Sequence, residues 1–232
     1  MKGWVERSLW DVVPRDHRDS PDALRRRRVV TVGVILLGSV VLAVLLRLDR
    51  GSLAFTATSL LLAAVWAGGA FASGPLHLGR IGTGDDTGER LRPVLAPFLI
   101  GAALAGVFVA GALVVREIEP LADQVRSVLG FATEGNLAVL AIVTAVNGVA
   151  EELFFRGAAY AAITRHPVAW TTLAYTIATA ATGNPMLAFA AVVLGVVVGL
   201  QRRASGGILA PIITHCTWSL IMLFALPAIF GA

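Results

Sequence analysis

Residues 136–164 read NLAVLAIVTAVNGVAEELFFRGAAYAAIT. A bilayer core about 30 Å thick takes roughly 20 apolar residues in a helix. This run is long and apolar enough, yet it holds Glu151, Glu152 and Arg156. Ionisable side chains at membrane depth are costly and mark functional sites or interhelical contacts. Glu152 and Arg156 are i,i+4 neighbours with the acid first, the favourable order for a self-neutralising pair. Glu151 projects about 100° away around the helix, with Asn147 one turn above it. It has no intrahelical counter-charge and requires a metal, a proton, a second helix or a water-filled cavity. Counting from His166 as the inner boundary puts the two acids roughly 20–22 Å deep. Spacing alone leaves two readings open, an ion-pair network that locks helices together or a catalytic or ligand-binding carboxylate.

The rest of the chain has the same character. Of 232 residues, 56% are hydrophobic and only 15% charged, with a mean hydropathy of +0.77. A soluble domain of this size has too little interior for so much apolar surface, whereas a bilayer accepts it. The fold class expected is all-α: a polytopic transmembrane helix bundle of about seven spans. The runs lie at 29–46, 53–72, 93–115, 136–164, 167–182, 186–201 and 207–230. Runs five and six are short, joined by a tight turn at Gly183-Asn184-Pro185, and either suits a hairpin arm as well as a span. Three regions are expected: a polar segment over 1–28, membrane helices and loops over 29–135, and a core over 136–232. Trp4 to Val13 suits a short interfacial helix ended by Pro14, and no cleavable signal peptide is expected at the start.

The charges orient the bundle. With the N-terminus inside, the inner segments carry fourteen Lys and Arg and the outer segments four, namely Arg47, Arg50, Arg116 and Arg126. This bias predicts a cytoplasmic N-terminus, with Arg25–Arg28 as a topology anchor. Residues 116–134 then form an acidic, weakly amphipathic outer connector. Basic residues are not interleaved with aromatics, which argues against nucleic-acid binding. Cys216 is the single cysteine, so an intramolecular disulfide and a cysteine-rich metal knuckle are excluded. The Ala, Val, Gly and Arg bias suggests a bacterial chain, hence a multi-pass protein of the plasma (inner) membrane whose first partner is the lipid bilayer.

The last run supplies His215, about 12 Å from its inner end and within reach of the Glu and Arg level if the helices tilt. Ser219 follows one turn later on the same face. With these residues in place, Glu151-Glu152-Leu-Phe-Phe-Arg156 resembles the E-E-x-x-x-R motif of the CPBP family, the CAAX proteases and bacteriocin-processing enzymes also called the abortive-infection family. Gly195 and Gly199, then the stretch from Arg202 through Leu209, Ala210 and Pro211 to His215, are similar to the family's later segment. The resemblance covers about residues 136–220.

The resemblance implies an intramembrane metalloprotease. Glu151 is then the general base on a metal-bound water, with Glu152 and Arg156 in support. Glu151 and His215 are the candidate metal donors, with zinc the expected ion. Two positions depart from the pattern. The second motif, F-x-x-x-H, aligns with Tyr175 to Thr179, so Thr179 replaces a histidine. The third, H-x-x-x-N, ends in Ser219. A degenerate pseudoprotease, acting as scaffold or accessory subunit for a membrane protein or lipid partner, is therefore the alternative. Asn147, Tyr175, Thr179 and Ser219 are expected to complete an inward polar core. A small transporter is a third reading, disfavoured because no inverted repeat is visible.

Overall fold

The computed structural model describes residues 3–13, 19–49, 52–82, 89–134 and 136–231. Pro14, expected to end the first helix, lies outside them, as do Lys2, Arg15, Arg18 and Arg50 of the charge map. Among the described residues the chain is helical throughout, apart from one two-residue strand pair. The helices are α1 (Trp4–Leu9), α2 (Pro21–Leu45), α3 (Leu53–Ser73), α4 (Leu95–Val115) and α5 (Glu119–Glu134). They continue as α6 (Leu137–Ala162), α7 (Pro167–Ala180), α8 (Pro185–Ser205) and α9 (Leu209–Phe230). Strands β1 (Ile81–Gly82) and β2 (Arg90–Leu91) pair antiparallel, Ile81 opposite Leu91.

Six helices, α2, α3, α4, α6, α8 and α9, are long and apolar enough to cross a membrane. The fifth expected crossing, α7, has only 14 residues, about 21 Å of rise. It packs along α8 as one arm of a hairpin. The sixth run is longer than its apolar stretch, because α8 continues through Arg202 and Arg203 to Ser205. Large side chains face outward all round: Leu53 is 85% exposed, Leu95 69% and Val107 68%. Lipid covers such a surface without the cost it carries in water. The protein is a multi-pass membrane protein.

The helices pack through small residues. A Cβ on Gly195 would stand 2.9 Å from Thr172 Cγ2, and one on Gly199 2.9 Å from Val168 Cγ1. These glycines, one turn apart on α8, let α7 approach closely, which is how membrane helices associate without a hydrophobic drive. The short turn between α6 and α7 passes through His166 at φ 51°, a strained conformation for a residue preceding proline.

The basic segments converge at one end. Arg203 Nη2 donates to Leu9 O at 3.4 Å, and Arg28 Nε to Ala162 O at 3.1 Å. Backbone bonds join the loop after α3 to the α8–α9 turn: Arg80 N to Ser205 O (2.8 Å), Ile208 N to His77 O (2.9 Å) and Leu209 N to Leu78 O (3.1 Å). The place of a Gly207 side chain is taken by the Gly79 backbone, so only glycine fits there.

Two expectations are extended. The Arg25–Arg28 block leads the apolar run as expected, but the helix itself begins before it, at Pro21. Ser20 caps α2, accepting from Ala23 N at 3.3 Å, and the arginines lie inside the helix. Arg27 is buried (3% exposed), paired with Asp19 at 2.6 Å and reaching Ser73 Oγ at 3.3 Å. Arg26 donates to Ala72 O at 3.2 Å. Three of the four arginines therefore tie α2 to its neighbours. Residues 116–134 are likewise more than a connector. Helix α5 buries Ala122 and Leu129 against Ala112 of α4 and Phe230 of α9.

Asn184 joins α5 to the tip of the hairpin. Its Oδ1 caps α8 by accepting from Met186 N (2.9 Å) and Leu187 N (3.0 Å). Its Nδ2 donates to Gln124 O (2.6 Å) and Ser127 Oγ (3.2 Å). Asn184→Ala removes cap and clasp together and should lower stability by about 1–2 kcal/mol. Asn184→Asp keeps the cap and loses only the donor. Thermal melting in mild detergent should rank wild type above Asp above Ala, and trypsin cleavage after Arg126 should accelerate in both variants.

Candidate active site at the Glu151–Glu152–His215 cluster

In the middle of α6 the helix widens. Glu152–Ala159 is π-helical, with i→i+5 bonds, a distortion frequent at functional sites. Every residue of this segment except Leu153 is buried. The widened turn admits both a charged pair and two phenylalanines to the interior. Trp66 of α3 packs on Phe154 at 4.6 Å and Phe155 at 5.6 Å between ring centroids. Phe155 meets Tyr175 of α7 edge-on at 5.3 Å. This aromatic ladder fixes the Tyr175 ring beside the charges.

Glu152 and Arg156 are completely buried. Arg156 Nη1 donates to Glu152 Oε1 at 3.1 Å, and Nη2 donates to Gly195 O at 3.2 Å. The guanidinium lies 4.9 Å from the Tyr175 ring centre. His215 of α9, 5% exposed, brings Nδ1 to 2.8 Å from Glu152 Oε1. Its other nitrogen, Nε2, faces Glu151 Oε2 at 3.9 Å. Glu151 keeps 27% of its side chain exposed, and the Tyr175 ring stands 6.1 Å from the His215 ring between centroids, on the same side of the cluster.

The two glutamates thus hold different posts. Glu152 is locked between Arg156 and His215. In the tautomer whose Nδ1–H donates to Glu152, the His215 ring presents Nε2 as an acceptor. That nitrogen and the Glu151 carboxylate then face each other as two acceptors across a gap.

The expected polar core assembles only in part. Glu151, Glu152, Arg156, Tyr175 and His215 meet. Asn147 serves a different junction, donating to Ser59 Oγ of α3 at 3.0 Å and to Val143 O at 2.9 Å. Thr179 donates back to Tyr175 O at 3.0 Å. Among the described residues no hydrogen bond joins the Thr179 or Ser219 side chain to a side chain of the cluster. Arg202 is a positioning residue the sequence did not single out. Its Nε donates to Arg156 O at 2.7 Å, and its guanidinium covers the Tyr160 ring at 4.8 Å. The sequence placed it at the inner end of an apolar helix and at the start of the family-like segment, without a role in the cluster.

Residues 133–221 match the family model of the type II CAAX prenyl endopeptidases, Rce1-like. Over this stretch the chain is similar to a CAAX-protease core. No curated protein and no solved structure matches the chain significantly. The matched residues run from the end of α5 to α9 and include every member of the cluster.

The donor set can be tested against zinc. A catalytic zinc takes three protein ligands. Here Glu151 and His215 Nε2 are the two donors left over, because Glu152 Oε1 is shared by Arg156 and His215 and the Thr179 hydroxyl is turned to its own helix. Among the described residues no group of three His, Cys, Asp or Glu is arranged to hold a metal ion. The residues present do not fit a three-ligand zinc.

Removing one partner of a buried ion pair strands the other in a low dielectric. Arg156→Ala should cost about 3–5 kcal/mol and sharply lower the melting temperature in detergent. Glu151→Gln, at the accessible acid, should leave that temperature nearly unchanged.

Proposed function

We propose that the protein is an intramembrane endopeptidase in which Glu151 activates water directly. The observation that carries this reading is the 3.9 Å approach of Glu151 Oε2 to His215 Nε2, made by the one acid of the pair that stays accessible. Two facing acceptors require a molecule with two donors between them. Water is such a molecule, and it bridges this gap with two bent hydrogen bonds. Held there, it points both O–H bonds at acceptors and its lone pairs away from them, toward an arriving carbonyl.

In the reaction Glu151 takes a proton from this water as its oxygen bonds to the scissile carbonyl carbon. His215, oriented by Glu152, accepts the second hydrogen bond and keeps the water in line. As the C–N bond breaks, Glu151 returns the proton to the leaving amine. The carboxylates are held by helices from across the core, which supplies the pre-organisation such a step needs. The inner membrane of a bacterium, with the basic end of the bundle cytoplasmic, is the setting consistent with the charge bias.

One observation favours a second reading, a pseudoprotease. Thr179 stands where the family pattern has a histidine, and its hydroxyl is turned away from the cluster. In that case Glu152, Arg156 and His215 serve as an internal brace and the protein acts by holding a partner.

The test uses wild type and Glu151→Gln in proteoliposomes, with two probes, a prenylated CAAX peptide and an unmodified transmembrane peptide. Glu151→Gln should lower turnover by roughly 10²–10⁴-fold at unchanged melting temperature. EDTA should leave wild-type turnover intact, and its loss would restore zinc to the mechanism. Wild-type protein that cleaves neither probe, and co-purifies with the same membrane protein as Glu151→Gln, supports the pseudoprotease.

A further inference from the structure

Away from the Glu151 cluster, a crevice of about 650 Å³ opens along α7 and α8. Its walls are apolar, with Val168 and Leu173 on one side and Val192 and Val196 on the other, and Arg203 closes one end. Leu173, Val192 and Val196 are each more than two-fifths exposed, so the crevice is open sideways, where the bilayer lies. Three polar atoms of its lining residues are buried without a hydrogen-bond partner: Thr172 Oγ1, Thr176 Oγ1 and Arg203 Nε. Thr172 is 8% exposed. Buried polar groups are ordinarily paired, and each exception asks for an explanation. Six further buried atoms among the described residues also lack a partner, so these three mark the crevice only together with its lateral opening and its basic end.

The register of the hairpin orients any ligand there. Val168 stands opposite Gly199 and Thr172 opposite Gly195. Pro167 therefore begins level with Leu200, and Arg203 extends beyond α7 at the end where the basic segments gather. From Arg203 to Val192 the crevice runs about 16 Å. It has a cation at headgroup level, hydroxyls part-way in and an apolar channel toward the bilayer middle. We propose that this crevice is a binding site for one anionic phospholipid, its phosphate on Arg203, its ester region at the two threonines and an acyl chain along the valines. The charge selects the headgroup, and the lateral opening admits a chain that never leaves the membrane. The lipid would occupy the outer flank of the wall whose inner flank carries the Gly195 carbonyl that holds Arg156.

The experiment is native mass spectrometry of the full-length protein from mixed micelles holding equal phosphatidylglycerol and phosphatidylcholine. Wild type should retain one phosphatidylglycerol with about fivefold preference, the effect of one basic residue at a membrane surface. Arg203→Gln should abolish the preference, and Val196→Trp, which fills the channel, should reduce retention of both lipids. Arg26→Gln, a basic residue at the same end but outside the crevice, should change neither. If Arg203→Gln does not purify as a monodisperse protein, wild type against Val196→Trp decides. Equal retention of the two lipids by wild type, or phosphatidylglycerol retention undiminished in Val196→Trp, overturns the proposal. A preference lost equally in Arg26→Gln does so too, because it would mark a diffuse basic surface.

Discussion

A buried carboxylate and a buried guanidinium in the middle of a membrane protein constrain everything near them. Each alone would cost several kcal/mol to desolvate. Glu152 and Arg156 offset part of that cost with each other, and other helices meet part of their remaining hydrogen-bonding capacity, while Glu152 Oε2 and Arg156 Nε have no partner among the described residues. Arg156 requires an acceptor from another helix, and Gly195 O supplies it. A side chain at 195 would come within 3.3 Å of Arg156 Nη2, so the acceptor must be a glycine carbonyl. Glu152 requires a second donor, and His215 supplies it. Three helices, α6, α8 and α9, are thereby fixed in mutual depth and rotation by one charge pair.

Other features follow from that constraint. Helix α9 must deliver His215 at the right height, and its start is set by backbone bonds from residues 77 and 78 to Ile208 and Leu209. Further along, Thr214 Oγ1 donates to Pro97 O at 2.8 Å, tying the helix to α4 one residue before the histidine. Helix α8 must hold Gly195 against α6, and Arg202 bonds Arg156 O from the next turns of that helix. The basic end of the bundle is thus more than a topology signal, because several of its arginines position the helices that carry the site.

How much of this was legible in the sequence depended on the range of the interaction. The membrane class and six of the seven runs were readable because apolar length is a local property. The Glu152–Arg156 pair was readable for the same reason, being one turn apart, and so was the different fate of Glu151. The resemblance drew His215 and Tyr175 into the same place, and geometry agrees. Asn147 and Thr179 turn to other partners. A polar side chain on an apolar helix has several neighbours to choose from, and spacing does not say whether it will turn to Ser59 on another helix or back to its own carbonyl. The docking of α5 was missed because its apolar face finds partners only after Phe230, about a hundred residues later in the chain, is in position. The π-helical turn leaves no periodic trace. It arises because Glu152, Phe154, Phe155 and Arg156 all have interior partners, more than one face of a regular α-helix can present.

That widened turn also accounts for the division of labour between adjacent acids. In a regular helix, consecutive side chains diverge by about 100°, so one of two neighbouring glutamates can be buried while the next is not. Here the buried post is already filled, since Glu152 has Arg156 and His215. Glu151 is left with an accessible flank and the far side of the His215 ring for company. The proposed chemistry puts the two acids to different uses: the accessible one as the base, and its neighbour, held by Arg156 and His215, as the brace that orients the imidazole ring.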